Sequence, residues 1–323
     1  MSNLMPKAPL AETAVSQNKF PYWTALRPHQ WSKNLIVFAA PLFAFSINLD
    51  SIINSFLAFI LFCSISSSFY LLNDVADYKS DRNHPVKCKR PIASGSVSIP
   101  HALFMAGVLF SCSLSIGWSK SLLLGLILSG YAVMQVAYNW RLKRIVILDI
   151  VVIAIGFILR ACAGAAATDL PVSPWFLMCT AMLALFLGIE KRKAELRLSK
   201  VKDIKPRSVL SRYSMSLLTR MESTVTTGAV MSFALWSSGP FVNGASTPWM
   251  LLTLPLVIYG IFRYQLLSDP EEIGRRSGGE EHGGKTERPE EVLLHDLPIL
   301  GTVVTWVVTC FVILLLKHQG IIG

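Results

Sequence analysis

Nine stretches of apolar residues, each close to the length of a membrane-spanning helix, dominate the sequence. They lie at about residues 34–49, 51–72, 101–118, 121–140, 145–166, 173–190, 214–238, 247–267 and 298–317. A helix needs about 20 apolar residues to cross the ~30 Å hydrocarbon layer of a bilayer. Only 15% of the 323 residues are charged, whereas about a quarter are charged in a soluble domain. The pattern therefore predicts an all-α, multi-pass membrane protein with nine transmembrane helices.

Lysine and arginine are distributed unevenly between the two ends of these spans. If the N-terminus is cytosolic, all 30 lie on the cytosolic side except Lys120 and Lys317 on the opposite face and Arg160, Arg220 and Arg263 within spans. Cytosolic loops of membrane proteins carry an excess of these residues. We therefore expect a cytosolic N-terminus, a location in the cell (inner) membrane, and an active site that faces the cytosol. The same bias accounts for the net charge of +10, so no nucleic-acid partner is indicated.

The chain is expected to form one transmembrane domain with polar appendages. Residues 1–33 lack the apolar core of a signal peptide, which predicts a cytosolic tail with an interfacial segment. Residues 34–323 are predicted to be a single catalytic domain, in which the glycine-rich stretch 268–297 forms a flexible cytosolic loop. Six cysteines occur without a C-x-x-C pair, so neither a zinc site nor a disulfide framework is indicated.

An acidic motif, NDVADYKSD, follows the second apolar stretch. Asn73, Asp77 and Asp81 are four residues apart and Asp74 adjoins them, so their oxygen-bearing side chains converge on one side of a helix. Mg²⁺ takes oxygen ligands, typically one or two carboxylates together with substrate phosphates and water. The helix macrodipole disfavours negative charge at a helix C-terminus. We predict that the four residues bind Mg²⁺ and, through it, a diphosphate; a solvated helix end paired with neighbouring bases is the alternative.

Basic residues follow the acidic motif directly, in the sequence RNHPVKCKRP. Cationic side chains hold phosphate oxygens that a metal does not take. The predicted substrate-binding residues here are Arg82, His84, Lys87 and Arg90, and Lys33 in RPHQWSKN is a further phosphate contact. Anchoring at the membrane surface explains part of this charge, but it does not explain why the bases adjoin an acidic cluster.

Two further polar clusters lie on the same predicted face. In YNWRLKRIVILD, Asp149 falls inside the fifth span, where a carboxylate is costly and is usually paired or functional. In GIEKRKAELRL, at the end of the sixth span, Glu190, Lys191, Arg192 and Glu195 alternate in sign. Salt bridges within one helix and a second polar wall opposite the acidic motif are both open interpretations.

Together these segments resemble the UbiA superfamily of intramembrane prenyltransferases. NDVADYKSD matches that family's first Asp-rich motif, N-D-x-x-D-x-x-x-D, and YNWRLKR is similar to its Y-x-x-x-L/M-K-R element. The family's second motif, D-x-x-x-D at the end of the sixth span, is replaced here by GIEKRKAELRL. In this departure, and in RPHQWSKN, FRYQLLSD and PEEVLLHD, the chain resembles the decaprenyl-phosphate phosphoribosyltransferase branch.

The resemblance to this branch implies a Mg²⁺-dependent phosphoribosyltransferase. Phosphoribose would pass from 5-phosphoribosyl 1-diphosphate to a polyprenyl phosphate, releasing diphosphate, in the synthesis of arabinose donors for cell-envelope glycans. A homo-oligomer is compatible with such an enzyme. The implied roles are catalysis by Asp77, Asp81, Lys191 and Glu195, metal binding by Asn73, Asp74, Asp77 and Asp81, and substrate binding by Tyr138, Lys143, Asp149, Lys191 and Arg192 in addition to the bases named above.

Two other functions remain open at this stage. An aromatic prenyltransferase of quinone synthesis would share the fold and the first motif, but the second Asp-rich motif that it would use is missing. A lipid carrier or transporter would explain intramembrane acidic residues as an ion pathway. Alternating access would then require a matching cluster on the outer face, and the short outer loops carry almost no charge.

Overall fold

The computed structural model describes residues 20–83, 87–201, 209–272, 292 and 295–322, apart from the side chains of residues 200 and 201. The regular structure in these ranges is helical, which confirms the predicted all-α class. The α-helices are α1 (Pro21–Ala25), α2 (Ala39–Phe43), α3 (Leu49–Arg82), α4 (Ile99–Lys120), α5 (Leu122–Trp140), α6 (Leu148–Thr168), α7 (Pro174–Val201), α8 (Met215–Ser237), α9 (Leu254–Leu267) and α10 (Leu297–His318).

Within the described ranges, seven helical segments are long and apolar enough to cross a membrane. They are Leu49–Arg82, Ile99–Lys120, Leu122–Trp140, Leu148–Thr168, Pro174–Ser199, Pro248–Leu267 and Leu297–His318. By this measure the count is seven, not the predicted nine. Helix α8 does cover the predicted span 214–238, but its sequence is too polar to meet the same criterion, with Arg220 and Glu222 among its residues.

The predicted first span, 34–49, is not a regular transmembrane α-helix. Residues Pro28–Phe38 form a 3-10 helix that continues into α2. A 3-10 helix rises about 2.0 Å per residue, against 1.5 Å for an α-helix, so a short sequence covers more of the bilayer thickness. The length of an apolar run does not distinguish the two helix types, and the prediction was wrong in this respect.

The 3-10 segment runs antiparallel to α3 along its length. Near one end, Arg27 contacts Asp74 close to the C-terminus of α3. Beyond the other end, Ser46 hydrogen-bonds Ser51 in the first turn of α3 at 2.9 Å. The chain therefore traverses the bundle before α3 begins, although it does so without forming one continuous α-helix.

Small residues on α6 allow this segment to approach the α6 backbone closely. A side chain at Gly164 would meet the carbonyl oxygen of Val37 at 1.9 Å. Close contact between helices in membranes depends on small residues of this kind. One turn earlier, the buried Arg160 donates from Nε to Asn34 Oδ1 at 2.6 Å and from Nη2 to the Tyr131 hydroxyl at 3.0 Å. These contacts fix the segment between α3, α5 and α6.

Alternating helix directions collect the polar motifs at one end of the bundle. Helices α3, α5, α7 and α9 finish at this end, and α4, α6, α8 and α10 begin there. Which way this end faces in the membrane stays a prediction. Residues 1–19 of the predicted tail and residues 273–291 of the predicted loop 268–297 lie outside the described residues.

Candidate functional site

The acidic motif occupies the last turns of α3, and two of its aspartates point into the protein. Asp74 and Asp81 are seven residues apart, which is about two turns of helix, and their exposed fractions are only 4% and 3%. Asp77 is exposed and Asn73 is half-buried, and neither forms a hydrogen bond or ion pair within the described part of the chain. The four predicted metal ligands thus divide into a buried pair and an outer pair, and do not form one even row.

Three basic side chains surround the buried pair. Arg90 lies between the two carboxylates, with Nη1 3.1 Å from Asp74 Oδ1 and 2.6 Å from Asp81 Oδ2. Arg27 Nη2 donates to Asp74 Oδ1 at 2.5 Å. Lys87 Nζ is 4.0 Å from Asp81 Oδ1. Charge-assisted hydrogen bonds of this kind are the strong ones in proteins, and they compensate the two buried negative charges.

The loop that carries Arg90 packs against α3. Arg82 Nε donates to the carbonyl oxygen of Ala93 at 3.0 Å, and Ile92 and Val97 are buried against the core of this region. Arg82, predicted to bind substrate, therefore has a clear structural role in holding this loop. His84, also predicted to bind substrate, lies outside the described residues.

The donor set of this cluster suits a hard divalent cation. Across the described ranges, no group of three or more His, Cys, Asp or Glu side chains is arranged to hold a metal ion. Mg²⁺, however, needs only one or two carboxylates when phosphates and water complete its shell. The position between Asp74 and Asp81 already attracts a cation, the Arg90 guanidinium. Asp74 and Asp81 are thus the residues that would hold Mg²⁺, with oxygens of Asp77 and Asn73 nearby on the same helix.

A second buried network joins α6 and α7. Asp149 is fully buried, and its Oδ2 accepts from Arg192 Nε at 2.8 Å. Its Oδ1 accepts from the Tyr213 hydroxyl at 2.7 Å. Arg192 Nη1 also donates to Glu195 Oε2 at 2.6 Å. Of the two interpretations of Asp149, paired or functional, the structure shows pairing, with a partner from the end of α7. The predicted role of Asp149 in substrate binding stays a prediction.

Tyr213 is a member of this network that sequence reasoning missed. Its hydroxyl oxygen accepts from the backbone N–H of Ile147 at 2.7 Å. Ile147 caps α6 with φ of 73°, a conformation that β-branched residues rarely adopt. Burial, together with the hydrogen bond to Asp149, raises the pKa of the Tyr213 hydroxyl, so this residue stays a proton donor. No motif marks Tyr213, since it lies 64 residues from Asp149 in the chain.

The ion pairs of Arg192 change its predicted role. Its exposed fraction is 3% and two carboxylates accept from it, so its charge is largely compensated before any substrate binds. Tyr138, another predicted substrate contact, interacts with it electrostatically. Arg192 and Glu195 are therefore placed to shape this wall of the site, whereas the sequence suggested that Arg192 supplies free positive charge.

Three lysines predicted to act on the substrates are half-buried. Lys143, in the loop between α5 and α6, forms no hydrogen bond or ion pair within the described ranges. Lys33 Nζ donates to Gln30 Oε1 within the 3-10 segment. Lys191 precedes Arg192 on α7. Of these three, Lys143 is the most directly available to an anionic ligand.

The opposite face of α7 carries a separate polar network. Lys193 Nζ donates to Glu190 Oε1 at 2.8 Å and to Glu222 Oε2 at 2.5 Å. Gln265 donates to the other oxygen of Glu222 at 2.8 Å. Residues 190 and 192 are about 200° apart around a helix, so Glu190 faces away from the Asp149 network. The salt-bridge interpretation of GIEKRKAELRL is confirmed for pairs three residues apart, and the motif does not form a single wall.

Sequence comparisons identify the family of the chain. Residues 34–276 match the model of the UbiA prenyltransferase family. The chain is 35% identical to the decaprenyl-phosphate phosphoribosyltransferase of Mycolicibacterium smegmatis, over 88% of this chain and 89% of that protein. It is 33% identical to the decaprenyl-phosphate phosphoribosyltransferase of Mycobacterium tuberculosis, over 88% and 91% of the two chains.

Solved structures of two UbiA homologs have the same fold as this chain. A UbiA homolog from Archaeoglobus fulgidus, bound to GPP and Mg²⁺, has a TM-score of 0.62 at 18% identity and covers 90% of this chain and 98% of its own. A UbiA homolog from Aeropyrum pernix has a TM-score of 0.59 at 14% identity, covering 87% and 98%. At this identity the likeness concerns the fold. The chain is an integral membrane protein that belongs to the UbiA prenyltransferase family.

Proposed function

We propose that this protein is a phosphoribosyltransferase that transfers 5-phosphoribose from 5-phosphoribosyl 1-diphosphate to a polyprenyl phosphate and releases diphosphate. Relatives named decaprenyl-phosphate phosphoribosyltransferase match it along 88% of its length. The observation that carries the proposal is the asymmetry of the site. Helix α3 presents a carboxylate pair for one diphosphate, whereas α7 presents an ion-paired arginine and the adjacent Lys191 in place of a second acidic motif.

The α3 side of the site is the place for the diphosphate of the sugar donor. Mg²⁺ bound here would neutralise charge on the departing diphosphate and so favour its release. Asp74 and Asp81 would hold that ion, and the outer Asp77 can reach the same region from the next turn. Arg27, Lys87 and Arg90 lie within 4.0 Å of these carboxylates and can donate to phosphate oxygens.

The α5–α7 side of the site is the place for the lipid phosphate. The acceptor phosphate is already an anion near neutral pH, so its attack on C1 of ribose needs no strong general base. Donor and acceptor repel each other, and the main task is to hold both in line. Lys143 and Lys191 supply the positive charge for this. Arg192 keeps its orientation through Asp149 and Glu195, and so helps to define where the acceptor lies.

We further propose that this end of the bundle faces the cytosol from the cell (inner) membrane. The basic loops that join the spans gather there, which is typical of cytosolic loops. A soluble, highly charged sugar diphosphate would then enter from the aqueous side, while the lipid tail stays in the bilayer. A homo-oligomer is compatible with this arrangement, because the site draws its residues from one chain.

Product formation tests the proposal directly. The purified protein in detergent is given labelled 5-phosphoribosyl 1-diphosphate, decaprenyl phosphate and Mg²⁺, and label in the organic phase is measured. Asp77→Asn and Asp81→Asn should each lower the rate at least about a hundredfold, since removing a group that stabilises transition-state charge typically costs this much. Lys79→Gln is the matched control: Lys79 is on the same helix, is exposed, and lies over Tyr78 rather than beside the aspartates.

The same preparation separates the proposal from the aromatic prenyltransferase alternative. It is also given a polyprenyl diphosphate and an aromatic acceptor. Turnover of this pair, with no lipid-linked phosphoribose formed, would replace the proposal. If no transfer reaction of either type is found in wild-type protein, a carrier function would be favoured instead.

A further inference from the structure

The Arg90 guanidinium occupies the position from which a cation can contact both buried aspartates. Its Nη1 atom is 3.1 Å from Asp74 Oδ1 and 2.6 Å from Asp81 Oδ2. Asp74 and Asp81 would hold Mg²⁺, whose ligand oxygens in proteins lie about 2.0–2.1 Å away. The ion and the guanidinium would therefore need the same space, and their like charges would repel. One of the two cations has to leave when the other binds.

We propose that Arg90 is an exchangeable counter-ion, which a divalent cation displaces from Asp74 and Asp81 and which then donates to the diphosphate of the substrate. The inference rests on the proposed function, because it takes these aspartates as the metal-binding residues. Displacing Arg90 costs two charge-assisted hydrogen bonds. The metal therefore binds weakly until a diphosphate is present to accept the guanidinium, and each of the two ligands strengthens the binding of the other.

The surroundings of Arg90 allow the side chain to move while its backbone stays in place. The backbone N–H of Arg90 donates to Lys87 O at 3.0 Å, and its carbonyl oxygen accepts from Ser94 N at 2.8 Å. The side chain is 30% exposed, whereas the two aspartates that it contacts are 4% exposed. Rotation about the side-chain bonds can thus carry the guanidinium from the aspartates toward solvent.

Arg27 is held differently, which separates the roles of the two arginines. It contacts Asp74 without contacting Asp81, and its guanidinium lies over the Tyr70 ring, 5.1 Å from the centroid. Such cation–π contacts add stability when the pair is partly desolvated. Arg27 is thus a fixed partner of one aspartate, whereas Arg90 is the cation shared by both.

If the exchange occurs, substitution of Arg90 should strengthen the binding of the metal ion and weaken the binding of the sugar diphosphate. Arg90→Gln should bind Mn²⁺ about tenfold more tightly than wild type in the absence of substrate, because a competing cation is lost. The same variant should show a KM for 5-phosphoribosyl 1-diphosphate raised about tenfold, because a phosphate donor is lost. Free Mn²⁺ is measured by electron paramagnetic resonance with full-length protein in detergent micelles.

Three further variants make the result decisive. Lys79→Gln removes one positive charge from the same end of α3 and should change the Mn²⁺ affinity less than about twofold, as expected for an exposed, screened charge. Asp81→Asn should abolish Mn²⁺ binding at this site. Arg90→Lys keeps the charge without the guanidinium and should fall between wild type and Arg90→Gln, and it serves as the test variant if Arg90→Gln does not fold.

The outcomes distinguish the exchange from the proposed function. If wild type and Arg90→Gln bind Mn²⁺ equally well and Asp81→Asn does not bind it, the exchange is wrong and the metal site stands. If Lys79→Gln and Arg90→Gln bind Mn²⁺ more tightly than wild type by the same factor, the gain in affinity comes from the loss of one positive charge anywhere near the site. That result would also overturn the exchange. If Asp81→Asn retains wild-type Mn²⁺ binding, or wild type binds none, both the metal site and the exchange are wrong.

Discussion

Removing the carboxylate of Asp149 should destabilise the protein substantially, because it belongs to a buried ion pair. Removing one partner of a buried ion pair typically costs about 3–5 kcal/mol. Arg192 would keep its contact with Glu195, so about 3 kcal/mol is expected from the charge pair. Tyr213 would also lose its acceptor, which adds about 1 kcal/mol. Asp149→Ala should therefore lower the free energy of unfolding by about 4 kcal/mol.

A double-mutant cycle measures the interaction energy between Asp149 and Arg192 separately from the other contributions to the lost free energy of unfolding. The free energy of unfolding is measured for wild type, Asp149→Ala, Arg192→Ala and the double variant in mixed dodecyl maltoside and dodecyl sulfate micelles. Tryptophan fluorescence reports unfolding, since the chain has eight tryptophans. The interaction energy should be about 2–3 kcal/mol, at the upper end for residues in direct contact. Asp149→Asn, which keeps one of the two acceptor oxygens, should lose less than Asp149→Ala.

Additivity of the two single substitutions, within about 0.5 kcal/mol, would refute this reasoning. Arg192 would then not depend on Asp149 for compensation in the folded protein. Substrate binding by Arg192, the role that the family resemblance implied, would then be favoured. An Asp149→Ala variant with wild-type stability would have the same meaning, and would also show that Tyr213 finds another acceptor for its hydroxyl proton.

Three further predictions concern the N-terminal segment, the acceptor side and the metal. Gly164→Val should lower the free energy of unfolding by more than about 3 kcal/mol in the same micelle assay, because a Cβ there would lie 1.9 Å from Val37 O. Lys143→Gln should raise the KM for polyprenyl phosphate about tenfold without changing the free energy of unfolding, since this side chain forms no hydrogen bond or ion pair within the described ranges; a loss of stability would instead indicate a structural lysine. Chelation with EDTA should abolish product formation and added Mg²⁺ or Mn²⁺ should restore it, whereas full activity in EDTA would contradict a metal role for Asp74 and Asp81.

The sequence was informative where a local rule determines the structure. Apolar length predicted the α3, α4, α5, α6, α7, α9 and α10 spans because burying a backbone in lipid requires a helix. Helical spacing predicted that the four oxygen-bearing residues of the acidic motif share one side of α3. It did not show which of the four oxygen-bearing residues would be buried, because that depends on where Arg27 and Arg90 lie.

Features that depend on contacts between distant segments were not predictable in this way. Tyr213 reaches Asp149 from 64 residues away, and no local pattern indicates such a pairing. The 3-10 segment Pro28–Phe38 packs against the α6 backbone at Gly164, a contact that an apolar run cannot reveal. The sequence did not predict which charged residues of α7 belong to the Asp149 network and which to the Glu222 network. Alternating charges at short spacing are compatible with several sets of ion pairs.

The position of the N-terminal segment has a consequence for how the protein is made. Arg160 and Asn34, which hydrogen-bond each other, are 126 residues apart in the chain. At about 5–20 residues per second, a ribosome needs about 6–25 s to pass from one to the other. The first segment to emerge must therefore wait at the membrane surface, or lie loosely against α3, until α6 has been inserted. The contact between the N-terminal segment and α6 therefore forms well after that segment is synthesised, once the middle of the chain has entered the membrane.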